Sequence, residues 1–197
     1  LDPERVGVIL GCDWIQPEPE QTTGAAQAVM KEGPLDVSNW GRRAMSEIFP
    51  LWMLKYLPNM PACHIAIAHD ARGPCNSVVL GEVSSLLAIR EAARVIERGA
   101  ADVILSGGTG YRLHPTTYLR STVEQISHRN EDPARACRPF DADRDGLVNS
   151  EGSTMLVLES REHAEARGAK ILARILGTSS TCDLRRPGGA KTSQAIE

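Results

Sequence analysis

The chain has 197 residues, enough for one domain with a sizeable core. It is 42% hydrophobic and 24% charged with a formal net charge of −3, so it has no basic footprint for nucleic acid. No apolar run approaches the ~20 residues needed to cross a bilayer, and Leu1 to Arg5 opens the chain without a signal-peptide pattern.

In chain order, Val6 to Leu10 reads as a buried strand ended by Gly11. Gln16 to Thr23 is polar, a loop or the start of an exposed helix, and Gly33-Pro34 is a break. Trp40 to Tyr56 is rich in large apolar residues and interrupted by Pro50, which predicts two short helices or a kinked one. Core packing is the expectation there, ahead of a lining for an apolar ligand. Pro58 to Pro61 reads as a turn, and His64 to Ala68 alternates weakly enough for a short strand.

The stretch from Arg72 to Gly99 organises the rest. A turn at Arg72-Gly73-Pro74 leads into a β-rich run, Asn76 to Leu80, and Gly81-Glu82 form a tight corner before a helix. Leu86, Ala88, Ile89, Ala92, Ala93, Val95 and Ile96 fall mostly at three- and four-residue spacings, as a buried helix face requires. Gly99 closes the helix, and a second β run, Val103 to Leu105, ends in Ser106-Gly107-Gly108. This is a strand–corner–helix–strand unit of an α/β sheet. A side chain at such a corner faces the free N–H groups of a helix N-terminus, where nucleophiles are often held. The corner residue is Glu82, for which the plainer expectation is a carboxylate that satisfies those N–H groups.

Pro115 to Ile126 reads as one helix, and His128 to Ala136 as an exposed charged stretch. His114 and His128 have no partner at metal-ligand spacing, so surface or capping roles are expected. Asp141, Asp143, Asp145 and Gly146 imitate the start of a calcium loop, but its twelfth position is Gly152 instead of a carboxylate. The expectation is a tight loop held by Asp–backbone bonds and Arg–Asp pairs. Met155 to Leu158 is a strand, Ser160 an N-cap, Gly168 a helix end, and Ile171 to Leu176 a further strand. Five single cysteines (Cys12, Cys63, Cys75, Cys137 and Cys182) give neither a zinc pair nor a disulfide framework, and reduced cytoplasmic thiols are the default.

From Arg138 to Gly177 the sequence R-P-F-D-A-D-R-D-G-L-V-N-S-E-G-S-T-M-L-V-L-E, followed by E-H-A-E-A-R-G-A, resembles the β-ketoacyl-[acyl-carrier-protein] synthases, which are thiolase-fold condensing enzymes. Asn59-Met60 with Ala62, Arg72-Gly73-Pro74, and Gly99 through Gly108 resemble the approach to the family's nucleophile and its G-x-A-D-V-x-x-x-G-G motif. Arg5 to Gly11 resembles an earlier family strand. The tail Ser180 to Asp183 with Pro187 matches only weakly and lacks the histidine of the family's pattern.

The resemblance implies an α/β, thiolase-like fold. It covers most of the first half, with a mixed sheet and a buried helix at the nucleophile position. Residues 1–181 would form this partial N-terminal domain, and 182–197 a connection toward a second half, so the chain reads as an excised segment. In the family the nucleophile lies in a T-A-C-S-S-S-L-like motif, eight residues past the proline of R-G-P. Here that position is Glu82, in Leu80-Gly81-Glu82-Val83-Ser84-Ser85-Leu86. A carboxylate cannot form the acyl-thioester that condensation needs. The family's two catalytic histidines belong to H-G-T-G-T and K-S-x-x-G-H motifs, which do not occur in this sequence. Cys75 lies at the far end of a short strand and cannot simply substitute.

Three readings follow from the resemblance. In the first, acyl-carrier-protein-dependent chemistry is altered or lost, as in chain-length factors, where a glutamine replaces the cysteine, or in a decarboxylating subunit. The second is a non-catalytic partner or scaffold subunit, and the third an active condensing enzyme with a displaced nucleophile. The resemblance implies acyl carrier protein bearing an acyl or malonyl group as partner, a homodimer or heterodimer through Asn76 to Leu80, and neither cofactor nor metal. It also leads to the expectation of a mainly buried Glu82 with a raised pKa, unless Glu82 caps the following helix.

Overall fold

The computed structural model describes residues 1–30, 38, 40–120 and 126–181. The break at Gly33-Pro34, the middle of the helix expected over Pro115 to Ile126, Cys182, and the connection at 182–197 lie outside them.

Four strands form one mixed sheet in the order β2-β1-β3-β4: β1 (Val6–Cys12), β2 (Cys75–Val78), β3 (Val103–Tyr111) and β4 (Glu151–Glu159). β1 pairs in parallel with β2 and with β3, and β4 runs antiparallel to β3. Helices α1 (Pro19–Met30), α2 (Trp40–Arg43) and α3 (Met60–Ala68) lie between β1 and β2. Helix α4 (Ser84–Glu97) connects β2 to β3, and α5 (Pro115–Arg120) and α6 (Arg161–Ala166) follow β3 and β4.

β1 is the centre of the fold because its side chains alternate between two apolar layers, as a strand buried on both faces must. Val8 and Leu10 pack with Ala62 and Ala71 on the α3 side. Ile9 packs with Ala88, Ala92, Val95, Ala101 and Ile104 on the α4 side. The α4 face expected from spacing is therefore present, except at Leu86, which is exposed. Leu86 sits two residues before Ala88, about 200° around the helix from it, so it cannot share that face. Gly99, with φ 70°, ends α4, and its N–H donates to Ile96 O.

Three local expectations are corrected. His64 to Ala68 is the second half of α3 instead of a strand. The run Met60–Ala68 is almost wholly apolar, so periodicity cannot tell strand from helix, and Pro61 in the first turn favours the helix. Ile171 to Leu176 forms no strand; it is exposed chain without a strand partner among the described residues. The third correction concerns Trp40 to Tyr56. The segment is broken into short helical turns, as Pro50 predicts, but Met45, Phe49, Leu51, Met53 and Leu54 are exposed instead of packed in the core. Only Ala44, with Ile48 beside it, joins the small cluster made by Ala25 and Val29 of α1.

The aspartate loop after Arg138 holds itself together as expected. Asp143 N–H donates to Asp141 Oδ1 at 2.8 Å, Ser127 Oγ donates to Asp145 Oδ1 at 2.7 Å, and Arg129 reaches Asp145 at 3.5 Å. No group of three metal-ligating side chains occurs among the described residues. Ser160 caps α6 by accepting from His163 N–H, and Gly168, with φ 70°, follows that helix.

Candidate functional site

Parallel pairing brings the C-terminal ends of β1, β2 and β3 to one edge of the sheet, with Gly11 beside both Val78 and Gly108. Ligand crevices of α/β sheets form at such edges, where successive connections leave on opposite faces. The first turn of α4 lies flat on this edge. A Cβ on Gly11 would stand 2.5 Å from Ser84 C and Ser85 Cα, and one on Gly108 would stand 2.5 Å from Ser85 Cβ. Glycine at these two positions is what allows the helix to approach so closely.

The corner before α4 is a tight turn, Gly81–Val83, with Gly81 at φ 63°, where an L side chain would be strained. Ser84 closes it: its Oγ accepts from Leu80 N–H at 2.8 Å and donates to Gly81 O at 2.7 Å. No side chain caps α4 at Val83. Glu82 thus does not cap α4 itself, and the corner N–H that its carboxylate meets is its own.

Glu82 is also not buried. Its side chain is 81% exposed and reaches across the crevice to Arg112, whose Nη1 and Nη2 both donate to Glu82 Oε1 at 3.2 Å. Arg112 directly follows β3, and its backbone N–H donates to Ser150 O at 3.1 Å. Asp13 directly follows β1 and grips the same guanidinium more closely. Asp13 Oδ2 accepts from Arg112 Nη2 at 2.9 Å and from Nε at 3.1 Å, while Oδ1 accepts from Trp14 N–H at 2.8 Å. One cation thus bridges two carboxylates from three strand ends.

The electrostatics follow from this. Glu82's own backbone N–H and then the Arg112 guanidinium hold its carboxyl below the ordinary glutamate value. The expected raised pKa is corrected: solvent and a cation surround the group where burial was expected. Arg112 is raised in turn, first by its hydrogen bonds to Asp13.

These groups line a cavity of about 440 Å³ with Cys12, Ser84, Ser85, Thr109 and the Gly152–Thr154 end of β4. Cys12 is buried, and its thiol donates to Asp13 O at 3.3 Å. Burial, and then the Asp13 charge, push that thiol up and keep it protonated. Cys75 opens β2 at its N-terminal end, so the strand runs between it and the corner, as expected.

His114 departs from expectation in part. It is only 1% exposed, so it is no surface group, but it does cap: Nδ1 accepts from Thr116 N–H at 3.1 Å at the start of α5. Its Nε2 lies 3.6 Å from Glu18. His128 is exposed.

Sequence reasoning found Glu82 and missed Asp13, Cys12 and Arg112. The available signal was positional: Asp13 and Arg112 are the first charged residues after two parallel strands.

Residues 1–164 match the N-terminal domain of the β-ketoacyl synthases. The chain belongs to the β-ketoacyl synthase family. It is 39% identical over 161 residues to a 3-oxoacyl-[acyl-carrier-protein] synthase 2 of Mycobacterium bovis, a match covering 78% of this chain and 39% of that one. It is 35% identical over 184 residues to a chloroplastic 3-oxoacyl-[acyl-carrier-protein] synthase I of Hordeum vulgare, covering 93% and 37%. Among solved structures it superposes on a type II polyketide ketosynthase, determined in complex with its acyl carrier protein and bound to the hexaketide. That likeness has a TM-score of 0.66 and 25% identity, over 86% of this chain and 40% of that one. The β-ketoacyl synthase-like chain thus spans about two fifths of the length of these relatives. Its thiolase-like α/β architecture is that of the ketosynthases.

Proposed function

We propose that this chain belongs to a β-ketoacyl synthase-like protein of fatty acid or polyketide biosynthesis that does not itself condense acyl groups. Residues 1–181 would be most of its first half-domain, and 182–197 the connection onward. The observation that carries the reading is the state of Glu82. The residue at the family's nucleophile position is a carboxylate, ionised and held by Arg112. It has no thiol to acylate.

The same observation weighs between two forms of the proposal. In a chain-length-factor-like or decarboxylating subunit, a neutral amide at this position would imitate an acylated cysteine. An ionised, outward-reaching Glu82 is a poor imitation of one, and it would repel the carboxylate of a malonyl group. The geometry therefore favours a partner subunit that binds an acyl carrier protein or a sister synthase. The placement of β2 at the sheet edge supports pairing of the Asn76 to Leu80 segment across a dimer.

The test is intact mass of the full-length protein after incubation with acyl- and malonyl-carrier protein, with released carbon dioxide counted. The expected result is no covalent adduct and no carbon dioxide above background. An acyl adduct would overturn the non-condensing reading. Carbon dioxide release lost on Glu82→Ala would restore the decarboxylating form.

A further inference from the structure

Arg112 treats its two carboxylates unequally. Asp13 takes Nε and Nη2 at 3.1 and 2.9 Å and is itself fixed by Trp14 N–H. Its side chain is 30% exposed. Toward Arg112, Glu82 makes only the two longer contacts, both through Oε1; its other partner is its own backbone N–H, and it is 81% exposed on a turn that begins at Gly81. Asp13 is the structural partner that aims the guanidinium. Glu82 is the exchangeable one, in a cavity of about 440 Å³.

We propose that Arg112 anchors a site for a monocarboxylate at this corner, with Glu82 as its tethered resident occupant. A ligand carboxylate would enter by displacing Glu82 into solvent and taking its place on Nη1 and Nη2. Charge sets the ligand class. With Glu82 turned away, Asp13 and Arg112 cancel, so one negative charge restores the observed balance. A second charge would face Asp13 uncompensated. The site therefore takes a single carboxylate on an otherwise neutral body and discriminates against small dianions. This inference rests on the reading above only in using the same corner, and it concerns binding alone.

The experiment uses the full-length protein and follows the Arg112 Nε–H resonance by NMR during titration with acetate, and separately with malonate dianion. Wild type should bind acetate weakly, because Glu82 competes from within the molecule. Glu82→Ala should bind acetate about tenfold more tightly than wild type, with the dianion weaker than acetate. Glu82→Gln, which keeps the shape of the side chain, should fall between the two. The double variant Glu82→Ala/Arg112→Met, followed through the Trp14 backbone amide, should lose the gain. Equal acetate affinity in wild type and Glu82→Ala, or a gain that survives Arg112→Met, would overturn the proposal. Either outcome is separate from the acylation and carbon dioxide measurements, which read the functional proposal.

Discussion

Two ion-pair networks cap opposite ends of the same sheet. At the N-terminal end of β3, Glu159 receives Arg167 through both Nε and Nη2, and His163 Nδ1 at 2.9 Å, and its side chain is only 9% exposed. Beside it Arg5 joins Asp102 at 2.5 Å and Gly99 O at 2.7 Å, tying β1 to the turn before β3. At the other end, Arg112 is shared between Asp13 and an exposed Glu82. The first network gives one sheltered carboxylate several donors. The second divides one cation between two carboxylates and leaves one of them in water. The Glu159 network is built to hold, whereas the Glu82 contact is built to exchange, as a binding edge requires.

The largest break in that contrast comes from the helix seat. Gly11→Ala should cost about 3 kcal/mol, because its Cβ meets the backbone of Ser84 and Ser85. Denaturant unfolding would measure the loss, and the Glu82–Arg112 contact should go with it as α4 lifts. Glu159→Gln should cost about 2 kcal/mol, since it removes a sheltered acceptor of charged hydrogen bonds.

The two carboxylates should also respond differently to acid. Arg167 first, then His163, lower the Glu159 carboxyl from 4.5 to about 2. A depressed folded pKa means that this contribution is complete above the unfolded value. It is lost as pH falls through the folded one, between about 4.5 and about 2. An acid-unfolding curve of Glu159→Gln should lack that component. Smaller still, Arg112→Met should cost about 1 kcal/mol and move the Glu82 titration only part of the way toward the ordinary value, because its own backbone N–H remains. Glu82→Gln should leave stability within about 0.5 kcal/mol of wild type, because an exposed side chain with one shared partner contributes little.

The strand–corner–helix–strand unit was legible because Ala88, Ala92 and Val95 must share one helix face, and the corner turn and Gly99 mark its ends. Glu82 was legible as a position, from the spacing after Pro74. Its environment was not. Arg112 lies 30 residues from Glu82 and 99 from Asp13, and only the parallel register of β1 and β3 brings them together. The Met60–Ala68 helix was hidden for a different reason, since a uniformly apolar run carries no period. Ile171 to Leu176 has the composition of a strand, but a strand also needs a neighbour, and composition cannot supply one.

The most direct test of the account is the titration of the Glu82 side-chain carboxyl by carbon-13 NMR in wild type and Arg112→Met. The account predicts a wild-type pKa below the ordinary glutamate value that rises toward it when Arg112 is removed. A wild-type value above the ordinary range, unmoved by Arg112→Met, would mean a neutral, buried Glu82. That result would contradict the open corner and favour the chain-length-factor-like or decarboxylating form over the partner subunit.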